Sequence, residues 1–454
     1  MWMHLDMNSY FASVEQQANP FLRGRPIGVC AYLGENGCII ASSIEAKQRG
    51  VKTGMRVREA RQKCPEIICI ENDPLKYRST TRKIFSILAD YTDHVEPYSI
   101  DECFLKFPND CHSGEAMPRP ESDRILDSPH RLARMTKVAQ ETKQRIKTDV
   151  GTWLKCSVGI APTRWLAKFG SDFQKPDGLT IVTMEQLGTM YEKVKLTDAW
   201  GIGSRIEDRL NRLGIWTLND LRTYPVTNLM EVMGVQGYYL WANVNGIEIS
   251  LSPYLLTSSP PAKSIGHSYC LPKKTTDTKY LFCVLMKLCE KTGRRLREDG
   301  RVAWSISCAW GFAQGGGDSA HRKAPQPLWS TESIFATAQE LFCSRRHSEF
   351  ISESHDQTTN ILNQVQDDGM ESPISFLAVS VADLRPHSDQ LSFWDTPKSS
   401  SQQRIVKAMD TINNVYGEYT IMRGRLFGMD DYAHDRIGFR KTVEVERVPK
   451  ESVL

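Results

Sequence analysis

The apolar positions of this chain change period several times, and each change marks an element. "MWMHLDM" (residues 1–7) reads as a strand ending at Asp6. "SYFASVEQQANPFLRG" then spaces its apolar residues as a helix does, and Asn19-Pro20 stops it. "RPIGVCAYL" and "GCIIASSIEAK" predict two more strands, the second running into a short helix. "TRKIFSILADYTD" predicts an amphipathic helix with Ile84, Ile87 and Leu88 on one side. "HVEPYSIDECFLKF" predicts two strand pieces, "LARMTKVAQETKQRIKTDVG" a helix and "KCSVGIA" a strand. Such alternation argues for an α/β or α+β domain.

From about Gln186 the pattern breaks into short helices with glycine turns, as in "AWGIGSRIEDRLNRLGIWTLNDL". The Ser/Pro-rich "LSPYLLTSSPPAKS" reads as a linker. Beyond it a long helix is predicted over 280–297, then the alternating strand "VAWSISCAWGF". Trp304, Ile306, Cys308 and Trp310 share one face of that strand, with Ser305 and Ser307 on the other. "ISFLAVSVADL" repeats the pattern, and "IVKAMDTINNVYGEYTI" predicts a helix and a strand. Two segments fit no packed pattern: 108–130, rich in Pro, Ser and Asp, and the polar 347–369. Both read as loops or insertions, which cost little closure entropy.

Composition narrows the class only slightly. The 454 residues suffice for several domains, and 40% hydrophobic with 24% charged residues is ordinary for globular chains. The net charge of +3 identifies no nucleic-acid binder, but its clustering says more. Between Lys263 and Arg301 ten Lys/Arg face four Asp/Glu, an excess of six. Such a patch suits a phosphate backbone, or is a solvated helix face. The 12 cysteines form no CxxC pair and read as reduced structural thiols, not zinc ligands. No signal peptide is recognisable, and no apolar run approaches the roughly 18 residues of a membrane helix. A soluble, cytoplasmic protein with no membrane partner is therefore expected.

The chemistry concentrates in three acids. Asp6 ends one strand, and Asp101 and Glu102 lie within another. Strands distant in sequence can neighbour one another in a sheet, so the three carboxylates can converge. Hard oxygen ligands of that kind suit Mg²⁺, and two such ions can serve phosphoryl transfer. The same acids can also merely cap or pair at strand ends. Because neighbouring strand residues point to opposite faces, aiming both Asp101 and Glu102 inward requires a twist or turn at 100–102.

Four segments, "HLDMNSYFASVEQ", "YSIDECFL", "SVGIAPTRWLAKFGSDFQKPDG" and "AKSIGHS", stand in the order in which Y-family DNA polymerases carry theirs. The chain resembles that family over about residues 1–385, and most of all its DNA polymerase IV (DinB) group. The resemblance implies an α+β multidomain right-hand polymerase. Its palm would be 1–11 and 73–185, interrupted near 108–130, and its small fingers 12–72. A helical thumb with a helix-hairpin-helix would span 186–252, then a linker 253–262. An α/β little finger would take 263–385, interrupted near 347–369, and a tail 386–454. Two Mg²⁺ ions would be held by Asp6, Asp101, Glu102 and the Met7 backbone carbonyl. Phe11 would be the steric gate against ribose, Tyr10 a nucleotide contact, and Lys175 the triphosphate-binding lysine. Where the family usually has Tyr-Glu-Ala-Arg, this chain has Ile44-Glu45-Ala46-Lys47. Lys47 keeps a charge for phosphate without the arginine's bidentate fork, and Ile44 has no polar role.

The resemblance also implies primer-template DNA and deoxynucleoside triphosphates as partners, and a monomer. Gly201 and Gly203 would form the hairpin that lets backbone N–H groups approach a phosphate. Lys263, Lys273, Lys274, Arg294, Arg295 and Arg297 would contact the DNA backbone. "DQLSFWD" resembles the bacterial sliding-clamp-binding peptide, with Gln390, Leu391, Phe393 and Trp394 as its anchors. The implied activity is template-directed, damage-tolerant DNA synthesis of low fidelity. Two other readings stand beside it: a non-catalytic DNA- and clamp-binding accessory protein of the same fold, and a palm-type nucleotidyl cyclase. The three acids favour an enzyme over the first, and the helix-hairpin-helix and basic region oppose the second.

Overall fold

The apolar run at the N-terminus becomes β1 (Trp2–Met7), buried along nearly its whole length. The computed structural model describes residues 1–107, 129–249, 262–347, 372–387, 397–417 and 419–428. The residues of the expected clamp peptide, and most of both expected insertions and of the linker, lie outside them. The described residues divide into two compact units, 1–249 and 262–428.

In the first unit β2 (Ile27–Cys30), β3 (Ile39–Ser42) and β4 (Ile68–Glu71) form a small sheet ordered β3-β2-β4. β1 joins β5 (Val95–Pro97), β6 (Glu102–Lys106), β7 (Cys156–Ala161) and β8 (Leu179–Ile181) in the order β5-β6-β1-β7-β8. β1 is thus the central strand, antiparallel to both β6 and β7. Its alternation divides the unit. Met1, Met3, Leu5 and Met7 share a core with Ile84, Leu88 and Met135 of helices Pro74–Ala89 and Pro129–Arg145. Trp2 faces the other way, into a core with Phe104 and with Trp165 and Leu166 of helix Arg164–Phe173. His4 and Asp6 share the face of Trp2, because side chains alternate along a strand. That helix lies close against β7. A Cβ on Gly159 would come within 2.0 Å of the Ala167 carbonyl oxygen, so only glycine fits there.

After β8 the chain forms short helices, including Ser204–Asn211, Val226–Met233 and Val235–Val244. Gly201 has φ +95°, a left-handed conformation that favours glycine, and Gly203 caps the helix starting at Ser204. Ile202 between them is buried with Leu210, while both glycines are exposed.

The second unit is a four-stranded sheet with helices packed on it. β9 (Ser264–Thr275), β10 (Arg301–Phe312), β11 (Gly317–Leu328) and β12 (Ile374–Pro386) run in the order β11-β10-β12-β9. Helices Thr278–Glu298 and Thr331–His347 supply Leu285, Leu288, Ile334 and Leu341 to its core. Ile306, Cys308 and Trp310 enter that core as the alternation requires, but Trp304 does not. The β10–β11 register shifts between Ala303 and Ser305, Ala303 takes the core position, and Trp304 lies half-buried under the Arg385 guanidinium. Beyond the expected clamp peptide the chain contributes to a packed core. Helix Pro397–Tyr416 and the turn Gly424–Leu426 bury Val406 and Leu426, and Leu426 joins the core of the second unit. The expected strand after this helix is absent from the described residues. Asn413 instead binds the backbone of Ile421 through both its amide groups and holds a turn.

Candidate active site

Asp6, at the end of β1, lies directly across from Glu102 of β6. Asp101 lies just before β6, in a turn where the Tyr98 and Ser99 N–H groups both donate to the Glu102 carbonyl. The Asp101 carbonyl accepts the Met7 N–H at 2.9 Å, tying this turn to the end of β1. The expected turn at 100–102 therefore exists, and it takes Asp101 off the strand. Asp6 and Asp101 together line a cleft of about 520 Å³, with Met7, Tyr10, Ile44, Lys47 and Lys175 also in its walls. The small sheet contributes Ile40 to Ser42 to the same cleft.

The carboxylates sit in different electrostatic surroundings. Burial, and then the negative charge of Asp6, push the Asp101 carboxyl up to about 6. The Ser99 hydroxyl donates to Asp101 and partly offsets this. Burial would also raise Glu102, but His4 and the Lys168 ammonium outweigh it and hold Glu102 near 2. Lys168 Nζ ion-pairs with Glu102 Oε2, and His4 Nε2 lies 3.3 Å from the same oxygen without a well-aligned hydrogen bond. The Ser171 hydroxyl donates to the Lys168 carbonyl and lies 2.7 Å from His4 Nδ1. Lys175 Nζ lies 3.1 Å from Asp6 Oδ2 and 2.6 Å from Asp172 Oδ1. Burial opposes its charge, yet Asp6 and Asp172 raise its pKa. Partial burial and then the charge of Lys175 lower that of Lys47.

The structure thus gathers two of the three expected carboxylates in the cleft. Glu102 turns toward Lys168 and His4, and among the described residues no three acidic, His or Cys side chains already converge as a metal cluster. The donor set nonetheless fits a hard divalent cation. Asp101 is pushed up by a second carboxylate in a desolvated site, the strain that such a cation relieves.

Other expected contacts fall as follows. Tyr10 lines the cleft, but its hydroxyl is directed away, to the Tyr77 carbonyl at 2.9 Å and to Thr81. Phe11 stacks on Tyr77, with ring centroids 4.5 Å apart. In the second unit Lys263 and Lys273 are exposed, whereas Lys274 donates to the Ala313 carbonyl. Arg295 reaches toward the Gly266 carbonyl and His267. Arg294 is engaged by Glu298 and Asn414, and Arg297 by Asp410 through two hydrogen bonds of 2.6 and 2.9 Å. These two arginines therefore hold the helix Pro397–Tyr416 against its neighbour, a role the charge pattern did not reveal.

Four residues of the site were not singled out from the sequence: His4, Asn8, Lys168 and Asp172. Asn8 accepts the Asp177 N–H at 2.7 Å and donates to Ser157, so it ties the Lys175–Asp177 loop to β1 and β7. His4 carried a signal, since it stands two residues before Asp6 and shares its face. Lys168 and Asp172 are visible only once helix Arg164–Phe173 is laid on β1, and Asn8 only once β7 and the Lys175–Asp177 loop are in place.

Sheet, cleft and helical segment together are those of a right-hand nucleotidyltransferase, and comparisons with known proteins agree. Residues 5–172 match the impB/mucB/samB family model, and residues 262–393 match its C-terminal domain. A DNA polymerase IV of Pelotomaculum thermopropionicum is 31% identical, over 92% of this chain and 93% of that protein. That of Moorella thermoacetica is 32% identical, over 92% and 94%. A solved Y-family polymerase chimera, Dbh-Dpo4(243-245)-Dbh, shares the fold with TM-score 0.64 and 21% identity, over 85% of this chain and 99% of its own. The chain belongs to the Y-family of DNA polymerases, in the DNA polymerase IV group, and is a DNA-directed DNA polymerase. No helix among the described residues is long and apolar enough to cross a membrane.

Proposed function

We propose that this enzyme extends primers across damaged template with low fidelity, by two-metal-ion phosphoryl transfer in the cleft of Asp6 and Asp101. The observation that carries this reading is that two acids and two lysines, Lys47 and Lys175, share one cleft wide enough for a nucleotide. Asp6, Asp101, Glu102 and the Met7 carbonyl would hold two Mg²⁺ ions. Those ions, when bound, neutralise triphosphate charge and make the primer hydroxyl a better nucleophile. The chain's own part is positioning. Lys175 and Lys47 would take triphosphate oxygens, as point charges suited to phosphate. Phe11 would lie under the sugar. Ile44 presents no donor where relatives usually carry tyrosine.

The exposed Lys263 and Lys273, and the N–H groups at the Gly201–Gly203 hairpin, would contact DNA phosphates without reading sequence. Arg295 would contribute where its present partners release it. The deciding experiment is primer extension on undamaged and lesion-bearing templates. The parent extends both, and the double variant Asp101→Ala/Glu102→Ala loses at least about 10³-fold in rate, on the scale of a lost electrostatic stabiliser. Extension by the variant at the parental rate sinks the assignment.

Gln390 to Trp394 would dock a bacterial sliding clamp. Deleting them removes clamp-stimulated synthesis and leaves unaided synthesis intact. Stimulation that survives the deletion shows that this peptide is not the contact.

A further inference from the structure

Three carboxylates near one another need counter-charge, and two lysines supply it in different ways. Lys168 is nearly buried at 11% side-chain exposure, ion-paired with Glu102, and lies 5.6 and 6.0 Å from the ring centres of Tyr98 and Trp200. Its ammonium is held by packing. Lys175 is 36% exposed, stands in the cleft wall just after helix Arg164–Phe173, and touches Asp6 and Asp172 at 3.1 and 2.6 Å. A flexible four-carbon stem lets such an ammonium change partners.

We propose that Lys175 is an exchangeable counter-ion of Asp6. It occupies Asp6 before nucleotide binds, then passes to the triphosphate as the metal-bound nucleotide enters. The inference rests on reading the cleft as a two-metal nucleotide site. An ammonium and a divalent cation repel strongly when both lie against one carboxylate in a partly desolvated cleft. Metal binding alone must therefore compete with Lys175 for Asp6. Nucleotide offers Lys175 a second anion and removes that competition. Asp172 keeps the side chain over the cleft during the transfer, since it lies three residues back and contacts the same ammonium. The consequence is linkage: nucleotide tightens metal binding, and metal tightens nucleotide binding by the same factor. The chain's own lysine, besides the phosphates, then delivers metal and nucleotide together.

The test is Mn²⁺ binding to the full chain, followed by electron paramagnetic resonance, with and without a non-hydrolysable deoxynucleoside triphosphate. Lys175→Met is expected to tighten Mn²⁺ binding in the absence of nucleotide, by about fivefold or more. The same variant is expected to weaken nucleotide, with KM raised about tenfold or more, and to shrink the metal–nucleotide coupling. Lys175→Arg keeps the charge and restores the parental nucleotide-free Mn²⁺ affinity. A lysine that only contacts triphosphate raises KM and leaves nucleotide-free Mn²⁺ affinity unchanged; that result, or weaker Mn²⁺ binding, overturns the exchange. Failure of the site reading looks different: Asp6→Asn and Asp101→Asn then leave Mn²⁺ binding of the protein untouched.

Discussion

Phe11 shows how a residue's role depends on what stands behind it. Its ring stacks on Tyr77, and the Tyr77 hydroxyl donates to the buried carboxylate of Glu15 at 2.8 Å. Lys76 caps that carboxylate with two contacts of 3.0 and 2.8 Å. The ring therefore has a rigid backing, as the proposed gate against a 2′-hydroxyl would need. Phe11→Ala is expected to raise the relative rate of ribonucleotide incorporation about 10–100-fold, in the range that a change of pocket shape supplies. Paired single-nucleotide insertion assays with ribo- and deoxynucleotides measure it, and unchanged sugar selectivity removes Phe11 from the gate. The variant also opens a cavity costing about 3 kcal/mol, so the assay belongs well below its melting temperature. At this scale the placing of Asp6, Asp101 and Lys175 around one cleft was legible because each stands inside a long ordered motif. Lys168 and His4 were not, because their relevance is a distance to Glu102.

The elements were legible wherever one period ran long enough. The helix Pro74–Ala89 places Ile84, Ile87 and Leu88 inside, as its spacing requires. Trp304 continues the alternation but lies outside the core, half-buried against the Arg385 guanidinium, because alternation sets a face and not how far the covering helices reach along it. Strand pairing also decides cysteine chemistry. β2 and β4 run parallel with Gly28 beside Cys69, so that Cys30 and Cys69 neighbour each other. The neighbouring Cys30 thiol, helped by the Arg61 charge, outweighs burial and holds the Cys69 thiol below the ordinary thiol range. Cys69 is half-buried. The thiolate, not the thiol, is the reactive form, so a lowered pKa brings reactivity to lower pH. Alkylation of Cys69 by iodoacetamide, followed by peptide mass spectrometry, is accordingly expected to reach its midpoint below the pH of about 8.5 that holds for a free cysteine. Cys30→Ala, which removes the neighbouring thiol, shifts that midpoint upward; an unshifted midpoint refutes the thiol pair as cause.

At the scale of the whole molecule, the proposed DNA contact would depend on charge that internal partners leave available. The basic run from Lys263 to Arg301 looked uniform, but Arg294 and Arg297 are committed to Asn414 and Asp410. Lys263 and Lys273 remain exposed. DNA affinity is expected to fall steeply with salt and depend little on sequence. Lys263→Ala/Lys273→Ala is expected to reduce the slope of log K against log salt by about two, close to 0.9 per phosphate contact. Fluorescence anisotropy across a salt series reads the slope, and an unchanged slope excludes both lysines. Arg297→Ala instead removes a buried ion pair between helices, so its main effect is on stability.

Motif order and periodicity by themselves determined the family, the alternating core strands, and the acids and lysine around which the cleft forms. They could do so because these features are local: a strand's faces follow from alternation, and a motif carries its residues in fixed succession. Only the tertiary structure decided which partners each charge takes. It placed Asp101 in a turn beside Asp6, turned Glu102 to Lys168, and spent Arg297 on Asp410. Those outcomes are set by contacts between residues 66 to 113 positions apart. Electrostatic energy depends on distance and burial, and neither is written in the succession of residues.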